Sequence, residues 1–238
     1  MTSSLKQNNE QEAYWAPVDE YSFSHLHSNA HATPSISALE EARLNSEKQG
    51  LPDIAVSPSQ GKFLKLQAQL IKAKNCLELG TLGGYSTIWL ASAGPHVRVT
   101  SIEVDPHHAS VAKANLQHAG VADRVDVHLG PGIDILPKLV EEVRQGKREK
   151  YQLVFIDADK QNNWNYVDSA LSMVDPGAII IVDNVVRKGQ LINPNGDDRV
   201  QGARTVVEKV GKDERLDGVV LQTVGDKGYD GFLIAIAK

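Results

Sequence analysis

The apolar run YQLVFIDADKQNN at 151–163 ends in Asp157, Asp159 and Lys160, and a second run, AIIIVDN, ends in Asp183 and Asn184. Asp157, Asp183 and Asn184 would meet at one sheet edge if the two runs are adjacent strands. Their three oxygen donors suit a hard cation, Mg²⁺, Mn²⁺ or Ca²⁺, rather than zinc. So few protein ligands leave coordination positions for water and substrate, which Mg²⁺ tolerates well. The competing reading is that Asp and Asn at strand ends simply make turns and cap helices. DADK and DN together on consecutive strands favour the cation site over that reading.

A second cluster lies upstream. LELGTLGGYS places Gly80, Gly83 and Gly84 between a short apolar run and a helical pattern, with Glu78 beside the turn. The spacing is not the G-x-G-x-x-G of a dinucleotide site, so the turn suits a smaller and less anionic head group. Glu103 ends the next run, SIEVD, about where an acid would hold ribose hydroxyls. Other candidates are weaker. His27 and His31 are four apart near His25, but no third zinc ligand is in view. Cys76, the only cysteine, is most simply a small buried hydrophobe. There is no G-x-S-x-G and no C-x-x-C, hence no support for serine-hydrolase or dithiol chemistry.

These residues need elements to position them. The pattern predicts strands at 75–80, 97–105, 124–130, 151–159 and 178–184, alternating with helices at 58–73, 85–94, 106–120, 132–147 and 163–177. Such alternation implies a parallel sheet with helices on both faces. Near-continuous apolar strands fit burial on both sides. VVLQTVG (219–225), DKGYDG and FLIAIAK (232–238) predict an antiparallel C-terminal hairpin. The expected organisation is a flexible arm at 1–18, a helical cap at 19–53 and an α/β domain at 54–238. The polar stretch 185–204, rich in turn residues, is expected to be a mobile lid.

Composition narrows the function classes. The 238 residues are 41 % hydrophobic and 23 % charged, an ordinary globular mixture. A net charge of −5 and the lack of a basic block disfavour nucleic acid and anionic membranes. No apolar run approaches the ~20 residues of a membrane span, and the N-terminus lacks the apolar core of a signal peptide. The single cysteine suits a reducing compartment, so a cytoplasmic protein is expected.

VSPSQGKFL, LELGTLGGYS, IDADK, VDNV and GDKGYDGFLIAIAK, in this order from about residue 54 to 238, resemble the cation-dependent class I O-methyltransferases. That family includes catechol and caffeoyl-CoA O-methyltransferases, and its small fungal members look most similar. The resemblance implies a Rossmann-like fold with a seven-stranded, mostly parallel sheet, and S-adenosylmethionine (SAM) in the glycine loop. It implies that Val56, Glu78, Gly80, Thr81 and Ser86 line the methionine part, that Glu103 holds the ribose, and that Gly132 borders the adenine. Asp159 would lie beside the cofactor, and Asp157, Asp183 and Asn184 would ligate the cation. Lys160 falls where the catechol enzymes keep their base.

The chemistry agrees. A phenol with pKa ~10 is a poor nucleophile at neutral pH. Chelation by a divalent cation acidifies it, and a lysine of lowered pKa can take its proton.

The stretch after VDN departs from the plant pattern, and no patch for a CoA tail is evident. A free catechol, flavonoid or hydroxycinnamate is therefore the expected acceptor, and a homodimer is expected from the resemblance alone. Arg187 and Lys188 would either attract an anionic group or stay solvated. Trp164, Tyr166 and Tyr229 would either stack on an aromatic ring or pack the core. Two other function classes remain beside this one. A nicotinamide-dependent oxidoreductase is disfavoured by the missing glycine motif. A non-catalytic SAM-binding module is disfavoured by the full Asp157, Lys160, Asp183 and Asn184 set.

Overall fold

The computed structural model describes residues 13–28 and 31–238. The expected arm falls largely outside them, at residues 1–12. Its last residues are already helical, because α1 (Trp15–Leu26) begins ahead of position 19. Then come α2 (Ile36–Lys48) and α3 (Pro58–Leu70). Ser57 starts α3 with a reciprocal cap: its hydroxyl accepts from Gln60 N, and the Gln60 side chain accepts from Ser57 N.

The alternating part follows as β1 (Asn75–Leu79), α4 (Tyr85–Ala91), β2 (Arg98–Glu103), α5 (Pro106–His118), β3 (Val125–Leu129) and α6 (Gly132–Arg144). It continues with β4 (Tyr151–Ile156), α7 (Asn163–Leu171), β5 (Val174–Val182), α8 (Asp198–Val210), β6 (Leu216–Gly225) and β7 (Gly228–Ala237). The seven strands form one sheet in the order β3-β2-β1-β4-β5-β7-β6. β1 to β5 pair in parallel, and β7 runs antiparallel to both of its neighbours. The expected mixed sheet and C-terminal hairpin are therefore present.

Alternate strand residues enter two cores. Val154 and Ile156 of β4 face one with α6, α7 and α8. Leu153 and Phe155 face the other with α2, α3, α4 and α5. The period-two side-chain geometry of a strand thus supplies a layer of helices on each face. Among the described residues, no helix is long and apolar enough to cross a membrane.

Three expectations need correction. The helix expected to 177 ends at Leu171, and Val174 already pairs with Tyr151, so VDPG opens β5. Pro176 lacks the N–H to continue a helix. The hairpin connection is only Asp226-Lys227, with Gly228 at φ 86 allowing the tight return. The expected lid at 185–204 is a loop only as far as Asp197, whose carboxylate accepts from Val200 N and caps α8. Val200, Ala203, Val206 and Val210 then bury one stripe of that helix. The loop itself is tied down: Val185 N donates to Gly231 O, Arg187 N to Asp230 Oδ1, and Leu191 N to Val186 O.

Candidate active site

The sheet order reverses between β1 and β4, and both candidate clusters lie at the carboxyl ends of the strands there, where open sheets bind ligands. The parallel ladder runs one step beyond the strands. Gly130 N donates to Glu103 O, Gly80 N to Ile102 O, Asp157 N to Leu79 O, and Asp183 N to Ile156 O. Each site residue is thereby fixed by the backbone before its side chain does anything.

On the cofactor side, Gly80 has φ +98, and a β-carbon there would meet the carbonyl oxygen of Asp157 at 2.1 Å. Only glycine fits this position. Glu103 is buried, and its carboxylate accepts from Leu82 N (2.7 Å) and Asp105 N (2.9 Å), with His108 Nδ1 at 3.7 Å. One edge of the carboxylate therefore braces the glycine loop.

Glu78 is 0 % exposed, so it stands behind the loop and presents no surface to a ligand. Its carboxylate accepts from Ser86 Oγ (2.6 Å), Ser101 Oγ (2.6 Å) and Thr87 Oγ1. The Thr81 hydroxyl joins the set through Ser101 Oγ (2.6 Å). Burial pushes the Glu78 carboxyl up to about 7, against the three hydroxyl bonds that pull it down. Ser101 and Thr87 went unnoticed in the sequence. The usable signal was a Glu inside a buried strand, which demands polar partners, and Ser101 is its register mate on β2.

Gly132 begins α6, and a β-carbon there would meet Tyr166 at 3.0 Å and Leu79 at 3.2 Å. The Tyr166 hydroxyl donates to Asp159 Oδ1, and Asn162 Nδ2 donates to Oδ2. Tyr166 is 1 % exposed, so it supports Asp159 rather than offering a stacking face. Its phenol is raised, by burial first and then by Asp159.

Asp157, Lys160, Asp183 and Asn184 come together at the ends of β4 and β5. Lys160 Nζ donates to Asp157 Oδ1 at 2.6 Å, with both side chains largely covered. Asp183 is 4 % exposed, and its Oδ1 accepts from Asn184 N. Its carboxyl is pushed well above the usual range by burial, then by Asp157, with Asp230 adding to the push and Lys160 opposing it. Asn184 adopts φ 56, an uncommon conformation for a residue other than glycine. Two carboxylates in partial burial, sharing one lysine, carry excess negative charge that a divalent cation would balance, so the donor set fits a hard cation. Among the described residues there is no cluster of three or more His, Cys, Asp or Glu arranged to hold a metal. The strand ends offer two carboxylates and an amide.

Next to this pair is a small apolar hollow of about 10 Å³, lined by Val56, Phe63, Phe155, Ile181, Phe232 and Asp183. The Phe63 and Phe232 rings lie 4.9 Å apart.

The remaining candidates do not join the site. α1 ends at Leu26, so His27 and His31 share no helix face. His27 is buried against Phe23 and Trp89, with Nε2 at 2.9 Å from Pro34 O. Cys76 is fully buried, and burial raises its thiol to about 12. Trp164 lies beneath Lys209 Nζ at 5.1 Å, and the Tyr229 hydroxyl donates to Gln222. Lys188 is exposed and Arg187 half-buried.

A sheet of this order with a glycine turn after β1 and an acid closing β2 is a Rossmann-like nucleotide-binding arrangement. Residues 28–233 match the family model described as O-methyltransferase, and the chain belongs to that family. It is 48 % identical over 231 residues to an O-methyltransferase of Aspergillus flavus, covering 96 % of this chain and 93 % of that one. It is also 48 % identical over 202 residues to a catechol O-methyltransferase of Mycobacterium tuberculosis, covering 84 % and 89 %. The crystal structure of an O-methyltransferase from Bacillus cereus in complex with SAH superposes with a TM-score of 0.86 at 44 % identity, covering 95 % of this chain and all of that one. The chain is accordingly a SAM-dependent O-methyltransferase.

Proposed function

We propose that this enzyme methylates one hydroxyl of a small catechol-type phenolic and requires a divalent cation, Mg²⁺ before Mn²⁺ or Ca²⁺. The observation that carries the reading is the pair Asp157 and Asp183 on neighbouring strand ends, with the Lys160 ammonium on Asp157 at 2.6 Å. The likeness to a catechol O-methyltransferase points the same way.

SAM, when bound, supplies an electrophilic methyl group on sulfur. A divalent cation held by Asp157, Asp183 and Asn184 supplies Lewis acidity toward a phenol whose own pKa is ~10. Gly80 lets the backbone come close to the cofactor, and Glu103 takes the ribose with the lone pairs not engaged by Leu82 N and Asp105 N. Asp159, held by Tyr166, flanks the cofactor. Lys160 Nζ, once its ammonium has given up a proton to solvent, is the atom at which the acceptor's hydroxyl proton is taken up, a role worth ~10²–10⁴ in rate.

The same reading places the enzyme in the cytoplasm as a homodimer acting on neither nucleic acid nor membranes. The net charge of −5 and the exposed apolar residues Tyr14, at the N-cap of α1, and Val18 and Tyr21 on it support this.

The test is methyl transfer from SAM to a panel of catechols, flavonols, hydroxycinnamates and caffeoyl esters, with and without divalent cation. Turnover confined to vicinal diols and abolished by EDTA or by Asp157→Ala is expected. Full activity in EDTA would remove the cation from the reading.

A further inference from the structure

The turn that carries Lys160 rests on a neighbour so close that no side chain fits between them. A β-carbon built on Gly202 of α8 meets Lys160 O at 2.1 Å, Lys160 C at 2.5 Å and Gln161 Cα at 2.8 Å. All three are backbone atoms, so no rotamer change relieves the clash. Ordinary contact begins near 3.4 Å, so any larger residue would part helix and turn by more than about 1 Å.

Nothing else calls for glycine here. Gly202 lies in the middle of α8 without a positive φ. Glycine in a helix interior is less favourable than alanine. The close approach is what that cost accompanies.

α8 is itself firmly seated. Ala203 and Val206 are 0 % exposed, Arg204 Nη1 donates to Leu191 O at 2.8 Å, and Lys209 Nζ lies over the Trp164 ring. Lys160 is thus held at both ends, by α8 at its backbone and by Asp157 at its ammonium.

We infer that Gly202 is a positioning residue for methyl transfer: it lets α8 act as the backstop that sets where Lys160 Nζ stands. The inference rests on Lys160 being the proton acceptor. Gly202 touches neither cofactor nor acceptor and acts only through the turn.

The experiment is a double-mutant cycle on the full chain, read as kcat for methyl transfer from radiolabelled SAM and as SAM Kd by calorimetry. Gly202→Ala is expected to lower kcat by roughly 10- to 100-fold, since ~1 Å of misplacement can cost that much, while SAM Kd changes by less than about threefold. Gly211→Ala, at the end of the same helix, brings its β-carbon no closer than 3.5 Å to anything and is expected to leave kcat unchanged. In a Lys160→Ala background, Gly202→Ala is expected to cost nothing more, because residues that act as one unit are not additive. A general structural lesion would lower the residual rate by the same factor in both backgrounds, and that result overturns the inference. So does normal kcat in folded Gly202→Ala when Lys160→Ala is inactive, which leaves the lysine assignment standing. Wild-type turnover in Lys160→Ala overturns the lysine assignment itself and this inference with it.

If Gly202→Ala does not fold, Asp197→Ala loosens the first turn of α8 by removing its cap, without adding an atom. It should lower kcat by at least about twofold, again only when Lys160 is present; an unchanged kcat overturns the inference.

Discussion

Replacing Glu78 by Gln should change how stability depends on pH in a way that can be worked out from its surroundings. The carboxyl is enclosed, and burial lifts it from 4.5 to about 7 in the folded chain. A folded-state pKa above the unfolded one means that the native state holds the proton more tightly. The associated stability is fully present below pH 4.5 and is lost as pH rises through 7. The shift corresponds to about 3 kcal/mol. Gln has the same shape and does not titrate. Its oxygen can accept from Thr87 and Ser101, and its NH₂ can donate to Ser86 Oγ, because a hydroxyl serves either way. Urea unfolding of both proteins from pH 4.5 to pH 8 therefore should show wild type losing about 3 kcal/mol relative to Glu78→Gln, most of it below pH 7. Other titrating groups cancel in the difference. A pH-independent difference, or one of opposite sign, would refute the reasoning.

Further outcomes follow from neighbouring features. Gly80→Ala forces a left-handed backbone on alanine and drives its methyl into Asp157 O, so SAM affinity should fall by roughly tenfold or more in calorimetry; unchanged affinity would mean that the turn is not a cofactor loop. The Cys76 thiol, buried and raised to about 12, should react with a disulfide reagent only at the rate of unfolding, and a fast stoichiometric reaction in native buffer would contradict its placement. The His27 imidazole is depressed below 6.5, by burial first and then by Lys62 and Lys65. The stability it contributes is present above 6.5 and lost as pH falls through the folded-state value, so its NMR titration midpoint should lie below 6.5; a midpoint at or above that value refutes the burial account.

The residues at the strand ends were legible in the sequence because a parallel strand buried on both faces ends visibly, where apolar letters give way to Asp157 or Asp183. The glycine turn and Glu103 were legible for the same reason. What holds these groups was not. Ser101 answers to Glu78 across a register that depends on which strands are neighbours. Tyr166 looked as much like a stacking face as a support, and only its contact with Asp159 decides. α8 was hidden because Pro194, Asn195 and Gly196 signal a loop just before its cap, and its apolar stripe of valines and alanine is narrow. Gly202 carries no pattern at all. Its importance lies in what touches it, which is a property of the folded chain.

The hydrogen bonds from Gly80 N, Asp157 N and Asp183 N to the preceding strands have one more consequence. Glu103 ends β2, and Gly80, Asp157 and Asp183 follow β1, β4 and β5, so the four stand on consecutive strands of the sheet. Strand spacing in a sheet is ~4.8 Å, so the span from the first of these backbones to the last is about three spacings, ~14 Å, whatever the loops do. The sheet acts as a gauge block for the reaction. Under the proposed reading, the cofactor end and the cation end are kept at a separation that belongs to the peptide backbone. Substitutions in α1, α2 or the loop after Asn184 leave that separation unaltered.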